Sequence, residues 1–363
     1  MADNETTYKR RQFLSAQIDL SKFNKKNFEK ATDEEKKQQD VMGESSTFLK
    51  DGMRRLRKNH MAMASIIVLA VLILAIIILP IIVPYSYSDM VTLNGRRDGT
   101  AVNLTPMQYS TRELQYMKET GKNLFPHILG TDSLGRDYFI RVVYGTRVSL
   151  SVGIVSAIMV LIIGVIYGTI SGYFGGKVDL VMMRIVDIIY SLPDMLIIIL
   201  LSVVLNARLA PLIKGTVFAK LGGNMLAMFI VFALLYWVGM ARLVRGQILS
   251  IKNNEYILAA KAIGTPSGTI MRKHIVPNVL SIIIITTALQ VPSAIFTESY
   301  LSFLGLGVSL PMTSLGSLAN DARQTISSAP YRLMVPALVI VLIVLALNLI
   351  GDGLRDAFDS KLN

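Results

Sequence analysis

The 363 residues predict an all-α membrane protein with about six membrane-spanning helices. Three observations carry this expectation. Hydrophobic residues make up 52% of the chain and charged residues only 17%, where a soluble domain has roughly 25% charged. The apolar residues are gathered into runs near the ~20 residues that a bilayer crossing needs. Most lysines and arginines stand beside these runs. The resulting net charge of +12 suits the cytoplasmic flanks of a membrane protein. No recognition module for nucleic acid accompanies it.

The elements follow in chain order. Residues 1–46 are rich in Lys, Glu, Asp, Asn and Gln and read as a disordered, charged cytoplasmic tail. The first apolar run begins near Met61, too late for a secretory signal, so it reads as a retained span. Just before it, 47–60 reads as an amphipathic juxtamembrane helix. Leu49, Met53 and Leu56 share a stripe, and Lys50, Arg54, Arg55, Arg57 and Lys58 occupy other faces. A helix lying on the inner leaflet and a flexible basic flank both suit this pattern. The first span covers 61–84, and 85–148 forms an extracytoplasmic segment. A five-helix core occupies 149–350. Its spans are 149–174, Val178 to about Leu205, 225–244, Val279 to Ala294 or Leu306, and 334–350, with a cytoplasmic loop at 247–278. Residues 351–363 form a cytoplasmic C-terminus.

The basic run at 54–58 precedes the first span and places the N-terminus inside, and six crossings return the C-terminus inside. The loop at 247–278 then also lies inside, in keeping with its Lys252, Lys261, Arg272 and Lys273. Gly164, Gly168, Gly172 and Gly176 recur every four residues. The first three line one helix face that admits a second helix closely. That helix belongs to the same chain or to a partner subunit. No halves related by inverted topology stand out, which argues against a single-chain secondary transporter.

Catalytic chemistry is not visible. The chain has no cysteine, which excludes disulfides and thiol nucleophiles, and its three histidines are far apart in sequence. "GYFGGKVD" fails as a phosphate loop, because Ser171 stands where the first glycine is required and Val178 follows Lys177. Charges in or near apolar runs are functional candidates by default. Among them, Arg184 and Asp187 are spaced to pair on one helical face. Glu298 sits near the outer end of the fifth span, where it could line a path or cap a broken helix. Outside, "FPHILGTDSLGRDYF" (125–139) is a turn-rich block containing Asp132, Arg136 and Asp137. It reads as a well-structured loop or as part of a landing platform for a solute receptor.

One polar stretch interrupts the apolar runs: "EYILAAKAIGTPSGTIMRKHIVPN" (255–278). Tyr256, Ala259, Ala260 and Ile263 give a short helix with one small apolar face. Gly264 fits the position past its end, and Pro266 prevents continuation. A second stripe through Ile270, Met271 and Ile275 is expected to stop at Pro277. From Ala259 to Asn278 the stretch resembles the cytoplasmic coupling motif of ABC importer permeases. "LGTDSLGRD" (129–137), "SYLSFLGLGVSLP" (299–311) and "GDGLRDAFDSKL" (351–362) extend the resemblance to nearly all of 48–363. The chain is similar to the C-type membrane subunit of bacterial oligopeptide and dipeptide importers. It departs in one place: Leu258 stands where the motif often has Glu, and Glu255 lies one turn earlier.

The resemblance implies a type I ABC importer permease fold in the bacterial cytoplasmic membrane. It implies a homologous second permease, two ATPase subunits that bind ATP and Mg, and an extracytoplasmic peptide-binding protein. No cofactor is expected on this chain. Glu255, Tyr256, Ala259, Ala260, Ile263, Gly264 and Pro277 are the expected ATPase-docking residues. Arg184, Asp187 and Glu298 become pathway or structural charges, and Asp132, Arg136 and Asp137 a receptor-side loop. The same permease type also serves nickel import. An ATP-independent carrier or channel would instead use Asp187 or Glu298 as a relay.

Overall fold

The structure, a computed structural model, describes residues 48–213, 215–308 and 312–358. The 1–46 tail lies outside them. Asp51–Asn363 is one compact unit, and of the other unit, Met1–Lys50, only the start of a helix is described. In order, the helices are Phe48–Leu56 (α1), His60–Ile82 (α2), Thr111–Thr120 (α3), Tyr138–Phe174 (α4), Gly176–Tyr190 (α5) and Asp194–Leu212 (α6). Gly223–Leu235 (α7), Trp237–Ile251 (α8), Glu255–Ala262 (α9), Ser267–Ile270 (α10), Leu280–Phe303 (α11), Leu315–Ala322 (α12) and Tyr331–Phe358 (α13) follow. One small hairpin departs from the all-helical expectation. Thr92–Leu93 (β1) pairs with Arg96–Arg97 (β2) around Asn94 and Gly95, both at positive φ. An Asn-Gly pair in that conformation matches the twist of a two-residue hairpin.

Among the described residues, six segments are long and apolar enough to cross a membrane: α2, α4, α6, Gly223–Ile251, Ser267–Phe303 and α13. The protein is a multi-pass membrane protein. The chain reverses at alternate ends. The 83–137 segment, the turn before Gly223 and the 304–330 connection share one end. Gly175, the 252–266 segment and Phe358 share the other.

Helix α4 is the central post. It packs along α8 and α11, α11 packs on α13, and α2 leans mainly on α13. The glycine repeat makes the first contact. A Cβ at Gly168 would lie 2.5 Å from the Ala241 carbonyl oxygen. At Gly164 it would lie 2.6 Å from the Met240 side chain, and at Gly172 3.0 Å from that of Ile248. Backbones of α4 and α8 therefore touch within one chain, whereas Gly176 meets nothing.

Several expected boundaries move. Helix α4 starts at Tyr138 and not at 149, because Asp137 caps it by accepting from the Ile140 N–H. The third span is not one helix from Val178. It breaks at Ser191–Pro193, since Pro193 lacks an N–H and biases the preceding residue away from helix. The helix α13 continues past 351 to Phe358. In α1, Met53 is exposed and the inward side is carried by Leu56 and Gly52, the latter against the Phe358 ring. Pro277 does not stop the second stripe. The chain passes it through a π turn at Met271–Ile275 and a 3-10 turn at Val276–Val279, and helix resumes as α11. Loosening the winding in this way accommodates the missing proline donor.

Candidate coupling site

The 252–266 segment is fixed from within. Ile257 and Ala260 of α9 are buried with Ile270, Ile275, Ile248 and Val244. Lys252 Nζ donates to the Gly172 carbonyl at 3.1 Å, and Lys261 lies 5.3 Å from the Tyr173 ring centre. The end of α9 is closed by a Schellman arrangement. Gly264 (φ +79) donates to Lys261 O and Thr265 donates to Ala260 O. Only glycine adopts this left-handed position without strain.

The outward face carries Glu255, Tyr256, Leu258, Ala259 and Ile263, with Ile263 82% exposed. Ala260 does not belong to it. The expected stripe is rotated because Ile257, a larger apolar residue, takes the core position and carries Ala260 with it. Pro277 is exposed beyond the π turn, on the span side of the segment.

Two ion pairs tie α5 to α8, which leads directly into α9. Arg245 donates from Nε and Nη2 to the two carboxylate oxygens of Asp179 at 2.5 Å, and Arg242 holds Asp187 at 2.6 Å while covering the Tyr190 ring. The expected Arg184–Asp187 pair is therefore not formed. Arg184 is exposed, and Asp187 finds its cation on the neighbouring helix. No spacing within one helix could have signalled Arg242 or Arg245.

Glu298 is fully buried and lines no open path. It accepts from Ser149 at 2.8 Å and from Ser302 at 2.7 Å. The same serine hydroxyls then accept from Leu315 N and Val308 N. Glu298 thus links the Leu315 N–H to α4 through Ser149 and the Val308 N–H to α11 through Ser302.

The 125–139 block is also an internal fastening. Asp132, Arg136 and Asp137 are buried and hold the loop together, while Ser133 and Leu134 form its exposed tip. Asp132 accepts from Arg136 Nε at 2.7 Å and from Arg141. Sequence reading passed over His127, which sits wholly buried between two acids. Its Nδ1 is 2.7 Å from Asp137, and its Nε2 is 3.0 Å from Glu113. Only the imidazolium donates at both nitrogens. Burial alone would lower its pKa, but hydrogen bonds to Asp137 and Glu113 outweigh that and raise it to about 9.

A raised folded-state pKa fixes the sign of a pH effect. The contribution is complete below the ordinary value of 6.5 and is lost as pH rises through about 9. Thermal stability of the purified protein is expected to fall over that window by on the order of 3 kcal/mol. His127→Gln should flatten the profile. An unchanged slope in that variant would remove His127 as its cause.

The family comparisons agree with this architecture. Residues 138–363 match the model of the binding-protein-dependent transport system inner membrane component. The chain belongs to this family. Residues 47–106 of the permease match the N-terminal transmembrane domain of oligopeptide transport permease C. It is 40% identical to a dipeptide transport system permease protein of Bacillus subtilis, over 88% of this chain and 87% of the relative. An oligopeptide transport system permease protein of the same organism is 38% identical, over 89% and 92%. One from Escherichia coli K12 is also 38% identical, over 88% and 93%. The permease is a transport component and not an enzyme.

Proposed function

We propose that this permease is the C-type transmembrane subunit of an ATP-driven importer of oligopeptides or dipeptides in a bacterial cytoplasmic membrane. It pairs with a homologous permease and receives peptide from an extracytoplasmic binding protein. It is driven by two ATPase subunits, which carry the ATP and Mg. Both termini and the 252–266 segment are cytoplasmic, a placement supported by Lys252, Lys261, Arg272 and Lys273 at that end. The peptide cargo is supported by what the relatives are named for.

The observation that carries the docking role is Ile263. A large apolar side chain stands 82% exposed on a short helix whose other face is locked into the core. Such a helix moves as part of α8 and α11, so a push on it reaches both spans. Through Asp179–Arg245 and Asp187–Arg242 it also reaches α5.

Ile263→Asp is the cleaner test, because Gly264 variants would also disturb the cap. In detergent the variant should fold as the wild type and co-purify with the second permease. Its hold on the ATPases should weaken by about 2 kcal/mol, the loss typical of an apolar anchor. Peptide uptake in cells should fall with it. Normal ATPase recovery and normal uptake would reject the docking assignment.

A further inference from the structure

A cavity of about 420 Å³ opens where two spans are interrupted. Ile189, Tyr190, Pro193 and Asp194 line it from the α5–α6 break, and Tyr236 and Gly239 line it from the α7–α8 junction. The breaks lie at matching height. Helices α5 and α8 each have 15 residues, so each carries its break about 22 Å from the coupling end, near mid-bilayer.

The broken span carries three acids, and two are neutralised by Arg245 and Arg242. Asp194 is not. Its Oδ1 accepts from the Met195 N–H at 2.9 Å, and among the described residues it has no cationic partner. Asp194 is exposed at the cavity and stands in the first turn of α6, where the helix N-terminus favours a carboxylate, so the carboxylate is open to a cation. Its surroundings fit a primary ammonium. The C-terminal end of α5 borders the space, and Tyr236 and Tyr190 flank it, the Tyr190 ring being covered on one side by Arg242. Discontinuous helices at mid-membrane bind cations in this manner in other carriers.

We propose that Asp194 receives the ammonium group of the peptide in transit, the α-amino terminus being the one cation that every unmodified peptide carries. This rests on the peptide-import reading above. The test uses the assembled complex in proteoliposomes with its binding protein, comparing the wild type with Asp194→Asn and Asp194→Glu. Trialanine offers only an α-ammonium, and N-acetyl-Ala-Lys-Ala offers only a side-chain one.

Trialanine uptake should fall about tenfold in Asp194→Asn, the loss expected for one charge-assisted hydrogen bond. It should stay near wild type in Asp194→Glu. ATP hydrolysis stimulated by the loaded binding protein should be unchanged in both. A fall confined to trialanine assigns the α-amino terminus, and a parallel fall for the lysine peptide assigns any primary ammonium. Wild-type uptake in Asp194→Asn overturns the proposal. An equal loss in Asp194→Glu, or failure of Asp194→Asn to co-purify with the second permease, also overturns it. Those outcomes would make Asp194 a helix-start residue or a subunit contact. Absence of uptake of any peptide by the wild-type complex would instead count against the import reading itself.

Discussion

Gly168→Leu should remove most folded permease from the membrane. The carbonyl oxygen of Ala241 stands where the new Cβ would be placed, 2.5 Å away, and the Val244 Cβ is at 3.0 Å. Neither is the free end of a flexible side chain. The helices α4 and α8 must separate along a strip where Ala241, Val244 and Ile248 are fully buried. Overpacking typically costs roughly 1–3 kcal/mol, and a backbone obstacle places this case at the upper end or beyond it. That is a large part of a marginal total stability. The separation would also strain Asp179–Arg245. Gly246→Leu is the control, since Gly246 lies on α8 with nothing within 4 Å of its Cβ. Immunoblots of membranes and melting of purified protein read the outcome. Equal amounts and equal melting for Gly168→Leu and wild type would show that the contact can open without cost.

Asp132→Asn should be comparably severe, for an electrostatic reason. Asp132 is 6% exposed and accepts from Leu134 N, Arg136 N, Arg136 Nε and Arg141. An amide in its place turns a donor toward guanidinium groups that are themselves buried. Breaking a buried pair by removing one partner costs about 3–5 kcal/mol. The 125–139 block should open to protease and the melting temperature should fall. Asp132→Asn combined with Arg141→Met should recover part of the loss, because fewer charges are then stranded. A well-folded Asp132→Asn permease with weakened binding-protein stimulation would restore Asp132 as a receptor contact.

Hydropathy was enough to find six crossings, and it failed where pairing across the fold hides charge. Tyr138–Val148 read as loop because Arg141 and Arg147 lie there. Arg141 is 2% exposed and neutralised by Asp132, a residue of the preceding turn. The break in the third span was signalled by Ser191–Leu192–Pro193, but the apolar run around it masked the signal. Pro277 misled in the other direction, because the chain passes it in a 3-10 turn that follows a π turn and then resumes as helix. In the 252–266 segment the short helix and its glycine stop were legible as local chemistry. Which alanine faced inward was not, since that depends on Ile257 meeting Ile248 and Ile275 from other helices. His127 gave no signal, because its partners Glu113 and Asp137 come from separate elements.

The contact of Gly52 with Phe358 has a meaning for biosynthesis. Helix α1 leaves the ribosome before the six described spans, and Phe358 ends the sixth of them. Gly52, Leu56 and Ala62 therefore wait with their apolar sides uncovered until all six crossings have been made. Docking of α13 then closes this end. In a translation product cut short before Phe358 that surface stays open, and exposed apolar surface of this kind makes an unfinished chain prone to misassemble.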